Sequence, residues 1–141
     1  MSILRSRVVI AGEPTVGKTQ IIHQSLKQVF NHNYMMTQGC EYSCKEVKSD
    51  KLYSSVELHL LDIAGQNIFK EITFDLLWKA NQVVLVYDVT NPDSFHLLRQ
   101  WYEGIKQQNP GKRLTGVVIA NKIDLENRAA VSAREGMGFA N

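Results

Sequence analysis

The chain has 141 residues, enough for one domain with a core of its own. Apolar residues make up 44% and charged residues 21%, an ordinary composition for a folded domain. With 16 basic against 14 acidic residues, the net charge of +2 is too balanced to draw nucleic acid or a membrane surface by its field, and no nucleic-acid partner is expected.

Other broad classes fall away as quickly. Cys40 and Cys44 are the only cysteines, and they read as reduced thiols of a cytoplasmic protein rather than a disulfide or zinc framework. No run is long enough to span a bilayer, and the first residues carry no apolar export segment. Ser2 stands where myristoylation needs glycine, and the last four residues form no prenylation box. No direct membrane anchor is therefore expected in this chain.

Taken in order, residues 5–11 end in an apolar run suited to a buried parallel strand. Residues 12–19, Gly-Glu-Pro-Thr-Val-Gly-Lys-Thr, fit the pattern G-x-x-x-x-G-K-[ST] of a phosphate-cradling loop. A helix is expected over residues 18–30, where Ile21, Ile22, Ser25, Leu26, Val29 and Phe30 recur at helical spacing. Residues 31–41 show no period, and a connection this long in a compact domain is usually functional. A strand follows at 42–48, a turn at 49–51 and a half-exposed strand at 52–62. In that strand Val56, Leu58 and Leu60 share one face, with Glu57 and His59 on the other.

Asp62-Ile63-Ala64-Gly65-Gln66 closes this strand in a loop, and residues 69–77 read as a helix packing Phe69, Ile72 and Leu76. Residues 83–86 are apolar on both faces and suit a central parallel strand. Asn91-Pro92-Asp93-Ser94 opens a helix with Phe95, Leu98, Tyr102 and Ile105 on one stripe, stopped by Asn109-Pro110-Gly111. Trp78 and Trp101 read as packing residues. Residues 117–120 read as a further buried strand, with Asn121-Lys122-Ile123-Asp124 at its end. A last helix begins near Ser132, where Ser132 and Glu135 form a capping box. Strands alternating with helices imply an α/β fold with a mainly parallel sheet and helices on both faces. Ligands of such sheets bind beyond the carboxyl ends of the strands, where all three polar motifs fall.

Each motif has a chemical reason. A phosphate chain needs several backbone N–H donors aimed at one point, so Gly12 and Gly17 keep side chains out of the way while Glu13, Thr15, Val16, Gly17, Lys18, Thr19 and Gln20 wrap the nucleotide. Lys18 brings a cation to the β- and γ-phosphates, and the Thr19 hydroxyl suits Mg²⁺. Asp62 is the strand-end acid that holds magnesium in P-loop proteins. Gly65 lets backbone approach a γ-phosphate, and Gln66 is placed to orient an attacking water. Asn121, Lys122 and Asp124 decide the base. A carboxylate accepts from the N1–H and exocyclic amine of guanine, whereas adenine offers no such pair and would leave Asp124 unpaired. Asn121 bridges strands or reaches the base, and the Lys122 stem covers its ring. An adenine-nucleotide kinase or ATPase is disfavoured on the same ground.

On residues 12–19, Thr37-Gln38-Gly39, 62–66 and 121–124, in this order and spacing, the whole chain resembles a small GTPase of the Ras superfamily, nearest the Rab group. The resemblance implies a P-loop NTPase fold binding GTP or GDP with Mg²⁺, with Thr37 as the switch I threonine that joins Thr19 and Asp62 at the metal. Residues 31–41 then form switch I and about 63–76 switch II, loops that order on the γ-phosphate and relax after hydrolysis. Gln66 and Lys18 become the catalytic residues, and effector, exchange-factor and activating proteins the partners.

Further phrases resemble the Rab-like 4 branch, the intraflagellar-transport small GTPases: Met36-Thr37-Gln38-Gly39, Ser55-Val56-Glu57-Leu58, Leu77-Trp78 and Tyr87-Asp88-Val89-Thr90-Asn91. That branch implies a ciliary role, a small β-sandwich partner in the transport complex, and no prenyl tail. Three residues depart from the wider group. Leu61 stands where trafficking Rabs carry Trp, Asn67 where they carry Glu, and Pro14 at a loop position usually small; Pro14 lacks an N–H and would crowd an incoming arginine finger. The fifth family motif, Ser-Ala-Lys, should lie farther on, since Ser132-Ala133-Arg134 follows Asp124 too closely. Residues 1–141 thus read as one GTPase domain, C-terminally truncated, lacking that loop and the last strand and helix. Two functions follow: a GTP-hydrolysing switch in intracellular or intraflagellar transport, or a nucleotide-loaded adaptor subunit of a transport complex in which hydrolysis is incidental.

Overall fold

The structure is a computed structural model that describes residues 3–26, 37, 39–49, 54–66 and 79–141. Five strands form one sheet: β1 (Ile3–Ala11), β2 (Cys40–Ser49), β3 (Ser54–Ile63), β4 (Gln82–Asp88) and β5 (Thr115–Asn121), in the order β2-β3-β1-β4-β5. β1 pairs in parallel with β3 and β4, β4 pairs in parallel with β5, and only β2 runs antiparallel, against β3. The carboxyl ends of four strands, at Ala11, Ile63, Asp88 and Asn121, therefore share one rim.

Helices lie on both faces: α1 (Lys18–Ser25), α2 (Pro92–His96), α3 (Leu98–Gln107) and α4 (Ala133–Ala140). The alternation of β1 explains the two cores. Val9 and Ala11 join Leu61, Ile63, Leu85 and Tyr87 under Leu98, Trp101 and Ile105 of α3. Val8 and Ile10 join Leu60, Val86 and Val16 under Ile22 of α1. Each residue step along a strand flips the side chain to the other layer, so one continuous apolar run feeds both. Among the described residues no helix is long and apolar enough to cross a membrane.

Several expectations shift. α1 is described to Ser25 with Leu26 as its C-cap, and residues 27–30 of the expected helix lie outside the described residues. So do most of the 31–41 connection, the turn at 50–51, residues 52–53 and the helix expected at 69–77. The helix after Asn91 comes as two, α2 and α3, joined at Leu97, which keeps right-handed dihedrals. The Asn91 side chain caps α2 by accepting from the amides of Asp93 and Ser94. Ser132 caps α4 in a complete capping box with Glu135.

One expectation is wrong. β5 is not a buried strand: Val117 is 56% exposed and no residue of β5 is buried. An apolar run on both faces resembles a central strand, but β5 lies at the end of the sheet and pairs with β4 alone among the described residues.

Candidate functional site

The site is built on the rim where β1, β3, β4 and β5 end. After β1 the chain turns through Gly12, whose φ of 151° brings its backbone so close to the Val86 carbonyl that no Cβ would fit. Thr15 is left-handed at φ 63° and exposed, while Val16 is buried in the α1 core. Gly17 caps α1 at φ 104° and makes no side-chain cap bond, so side chains leave the amides of the first helical turn to an anion.

Lys18 opens α1 and is 6% exposed. Its ammonium donates to the carbonyls of Gly12 (2.9 Å) and Glu13 (2.8 Å), bracing the loop from inside. Burial pulls the Lys18 pKa down to about 8, against the opposing pull of the Asp62 and Glu13 carboxylates. Among the described residues the hydrogen bonds of this ammonium go to neutral carbonyls, so its charge is available to a polyphosphate.

Thr19 follows, and its hydroxyl meets Asp62 Oδ2 in a short hydrogen bond and Thr37 Oγ1 at 3.0 Å. Asp62 is 3% exposed, and its Oδ1 has no hydrogen-bond partner among the described residues. Burial pushes the Asp62 carboxyl pKa up, opposed by the Thr19 hydrogen bond and the Lys18 charge. Two hydroxyls and an orphaned carboxylate oxygen, brought together from three separate segments, fit a hard divalent cation of the magnesium type.

Gly65 lies directly on the phosphate loop: a Cβ there would stand 2.5 Å from the Glu13 carbonyl carbon and closer still to the Pro14 nitrogen. The Ala64 amide donates to the Gly39 carbonyl at 2.8 Å, tying this loop to the start of β2. Gln66 follows, half-buried.

On the far side, Asn121 Nδ2 donates to the Val16 carbonyl at 2.7 Å, so the end of β5 is fastened to the phosphate loop. Lys122 takes a left-handed φ of 64°, and its ammonium reaches Asp88 Oδ2 at 2.7 Å. The Leu125 amide closes a turn onto the Lys122 carbonyl at 3.0 Å, and Asp124 stands exposed within it. Thr19, Thr37 and Asp62 are thus brought into contact, and Lys18, Gly65 and Asn121 converge on the same loop. Asp124 is placed at the rim by its turn, with no side-chain hydrogen bond among the described residues.

Across residues 7–141 the chain matches the model of the Ras family. The chain belongs to the Ras family. It is 39% identical over 140 residues to the human intraflagellar transport protein 27 homolog, covering 97% of this chain and 75% of that protein. It is 35% identical over 141 residues to the intraflagellar transport protein 27 homolog of Trypanosoma brucei brucei, covering 98% and 75%. The mouse Ras-related protein Rab-17 is 34% identical over 135 residues, covering 96% of this chain and 62% of that protein. Ras-family small GTPases bind GTP or GDP with Mg²⁺ and hydrolyse GTP, and the P-loop α/β sheet of this chain is the architecture of that family.

Two contacts of this Ras-family site escaped the sequence reading. Asp88 ends β4 on the same rim as Asp62, and that shared position was the signal for it. The bond from Trp101 Nε1 to Glu13 Oε1, 2.9 Å long, joins residues 88 apart and left no local pattern to find.

Proposed function

We propose that this chain is a GTP-binding molecular switch that hydrolyses GTP slowly with Mg²⁺ and works in intracellular transport. The single observation that carries the reading is the meeting of Thr19, Thr37 and the orphaned Asp62 oxygen beside the braced phosphate loop. Thr19, Thr37 and Asp62 would hold magnesium, which when bound supplies positive charge against the phosphate oxygens.

The chain's own residues do the rest. The loop amides of Glu13 and of Thr15 to Gln20, with the Lys18 ammonium, neutralise charge on the β- and γ-phosphates. Gln66 orients the attacking water in line with the γ-phosphate. Asn121, Lys122 and Asp124 select guanine, the first by holding its loop against Val16 and the last by accepting from the base edge. Thr37 and Gly65 sit where switch segments meet the phosphate loop, so loss of the γ-phosphate frees both. Residues 1–141 act in this reading as one GTPase domain. The intraflagellar transport protein 27 homologs suggest work at the cilium or flagellum from a cytoplasmic pool. Effector, exchange-factor and activating proteins, and a small β-sandwich subunit of a transport complex, are the partners this reading asks for.

The test is the nucleotide that co-purifies with the protein and the fate of its γ-phosphate. GDP or GTP is expected, with turnover on the order of 10⁻⁴ s⁻¹ without a partner. Gln66→Leu should slow that turnover. ATP in place of a guanine nucleotide, or Gln66→Leu hydrolysing at the wild-type rate, would contradict the reading.

A second reading, a nucleotide-loaded adaptor subunit with incidental hydrolysis, draws on Pro14 and Leu61. Pro14 is wedged against Gly65, and Leu61 is buried in the core beneath α3. Equal partner recovery by GDP- and GTP-loaded protein favours this second reading; recovery with GTP alone favours the switch.

A further inference from the structure

We propose that Asp88, locked by Thr90, is a positioning residue that seats the Lys122 ammonium and so holds the lysine stem rigid as one wall of the base site. The inference rests on the guanine-nucleotide reading above.

Asp88 is built as a fixed seat. Its amide donates to Ser94 Oγ at 3.0 Å, and its carbonyl accepts from the Asn91 amide at 3.0 Å. Its Oδ1 accepts from the Thr90 amide at 2.8 Å and from Thr90 Oγ1 at 2.6 Å, which leaves Oδ2 for Lys122 at 2.7 Å. The residue is 7% exposed, and register places it opposite Asn121 across β4 and β5. A bond from the Val89 amide to the Asn121 carbonyl, 3.1 Å, staples the two strand ends.

Asp88 is buried, but the Lys122 side chain is 33% exposed, so the pair itself adds little to stability. What it does supply is direction. A lysine stem has many rotamers, and ordering it on binding costs entropy. A stem already ordered by Asp88 removes that cost from nucleotide binding. The left-handed backbone of Lys122, unfavourable for a residue with a Cβ, is part of the same fixed arrangement.

The sign of the effect separates positioning from plain electrostatics. If Lys122 acted only as a cation, neutralising Asp88 would strengthen the hold on an anionic nucleotide. Positioning predicts the reverse. The experiment follows release of fluorescently labelled GDP from the full chain into excess GDP. Asp88→Asn should release it about tenfold faster, the order expected for a lost hydrogen bond to a charged group. Lys122→Met should do the same, and the double variant should be no faster than the faster single, because the two act as one unit. Thr90→Val, which loosens the seat without touching its charge, should release GDP faster by a smaller factor. It carries the test should circular dichroism show Asp88→Asn unfolded. Wild-type or slower release from both Asp88→Asn and Thr90→Val overturns the proposal, as does a double variant whose effect is the product of the singles. A wild-type protein that holds no guanine nucleotide instead overturns the reading beneath it.

Discussion

Asn121 and Val16, 105 residues apart, are joined by a 2.7 Å hydrogen bond from a side-chain amide to a backbone carbonyl. The bond makes the loop after β5 and the loop after β1 one unit, and Gly17 leaves it room. A Cβ on Gly17 would collide with the same Asn121 nitrogen. Asn121→Ala should lower stability by about 1–2 kcal/mol by leaving the Val16 carbonyl, in a buried residue, without this donor. Urea unfolding followed by circular dichroism measures it, and an unchanged midpoint would remove the bond from any part in the site's rigidity.

Gly65 rests against backbone atoms of Glu13 and Pro14, which have no side-chain rotamer to move away. Gly65→Ala forces the loop bearing Gln66 off the phosphate loop at a strain of about 1–3 kcal/mol. Single-turnover hydrolysis should fall about tenfold or more while GDP stays bound, since the loop carrying Gln66 contributes to the reaction and little to holding the diphosphate. Hydrolysis at the wild-type rate would show that this close approach has no part in the chemistry.

Trp101 is 1% exposed in the core under α3, yet its indole N–H leaves that core to meet Glu13 on the phosphate loop. Glu13→Ala removes this acceptor and should cost about 1–3 kcal/mol. The same contact makes Trp101 a reporter of the loop. In a Trp78→Phe background, where Trp101 is the remaining tryptophan, its fluorescence should change on nucleotide loading and change less once Glu13→Ala is added. No change on loading in that background would mean that α3 does not sense the loop.

The two thiols should differ in accessibility to a labelling reagent. Cys44 is exposed, whereas Cys40 is half-buried. Burial first, then the Asp62 and Glu41 charges, hold the Cys40 thiol up to about 11, against the lowering pull of Arg7. The folded state therefore keeps this proton between about 9 and 11 while the unfolded chain gives it up, so stability from Cys40 is present below about 9 and is lost as pH rises to 11. In iodoacetamide labelling at pH 8, read by mass spectrometry, Cys44 should react with native protein and Cys40 chiefly after unfolding. Equal rates in native protein would contradict the assignment.

Much of the fold was legible because its signals are local. The apolar alternation of residues 5–11 feeds two cores, Asn91 before Pro92 and Ser132 before Glu135 carry their caps in adjacent residues, and the phosphate loop needs its glycines within eight positions. Such features depend on dihedral limits and near neighbours, which a linear pattern records. The convergence of Thr19 and Asp62 on one rim followed from their places at strand ends, whereas Thr37 beside them was expected from a resemblance; their contact is set by sheet order.

What the amino-acid sequence determined by itself was the set of elements and the chemistry that each strand end could offer. The tertiary structure alone decided that Asp88 takes the Lys122 ammonium and that Trp101 reaches Glu13. Those outcomes depend on which strand lies beside which, and on distances between residues tens of positions apart. A residue's own character does not encode them, because burial and pairing belong to neighbours that only the assembled sheet supplies.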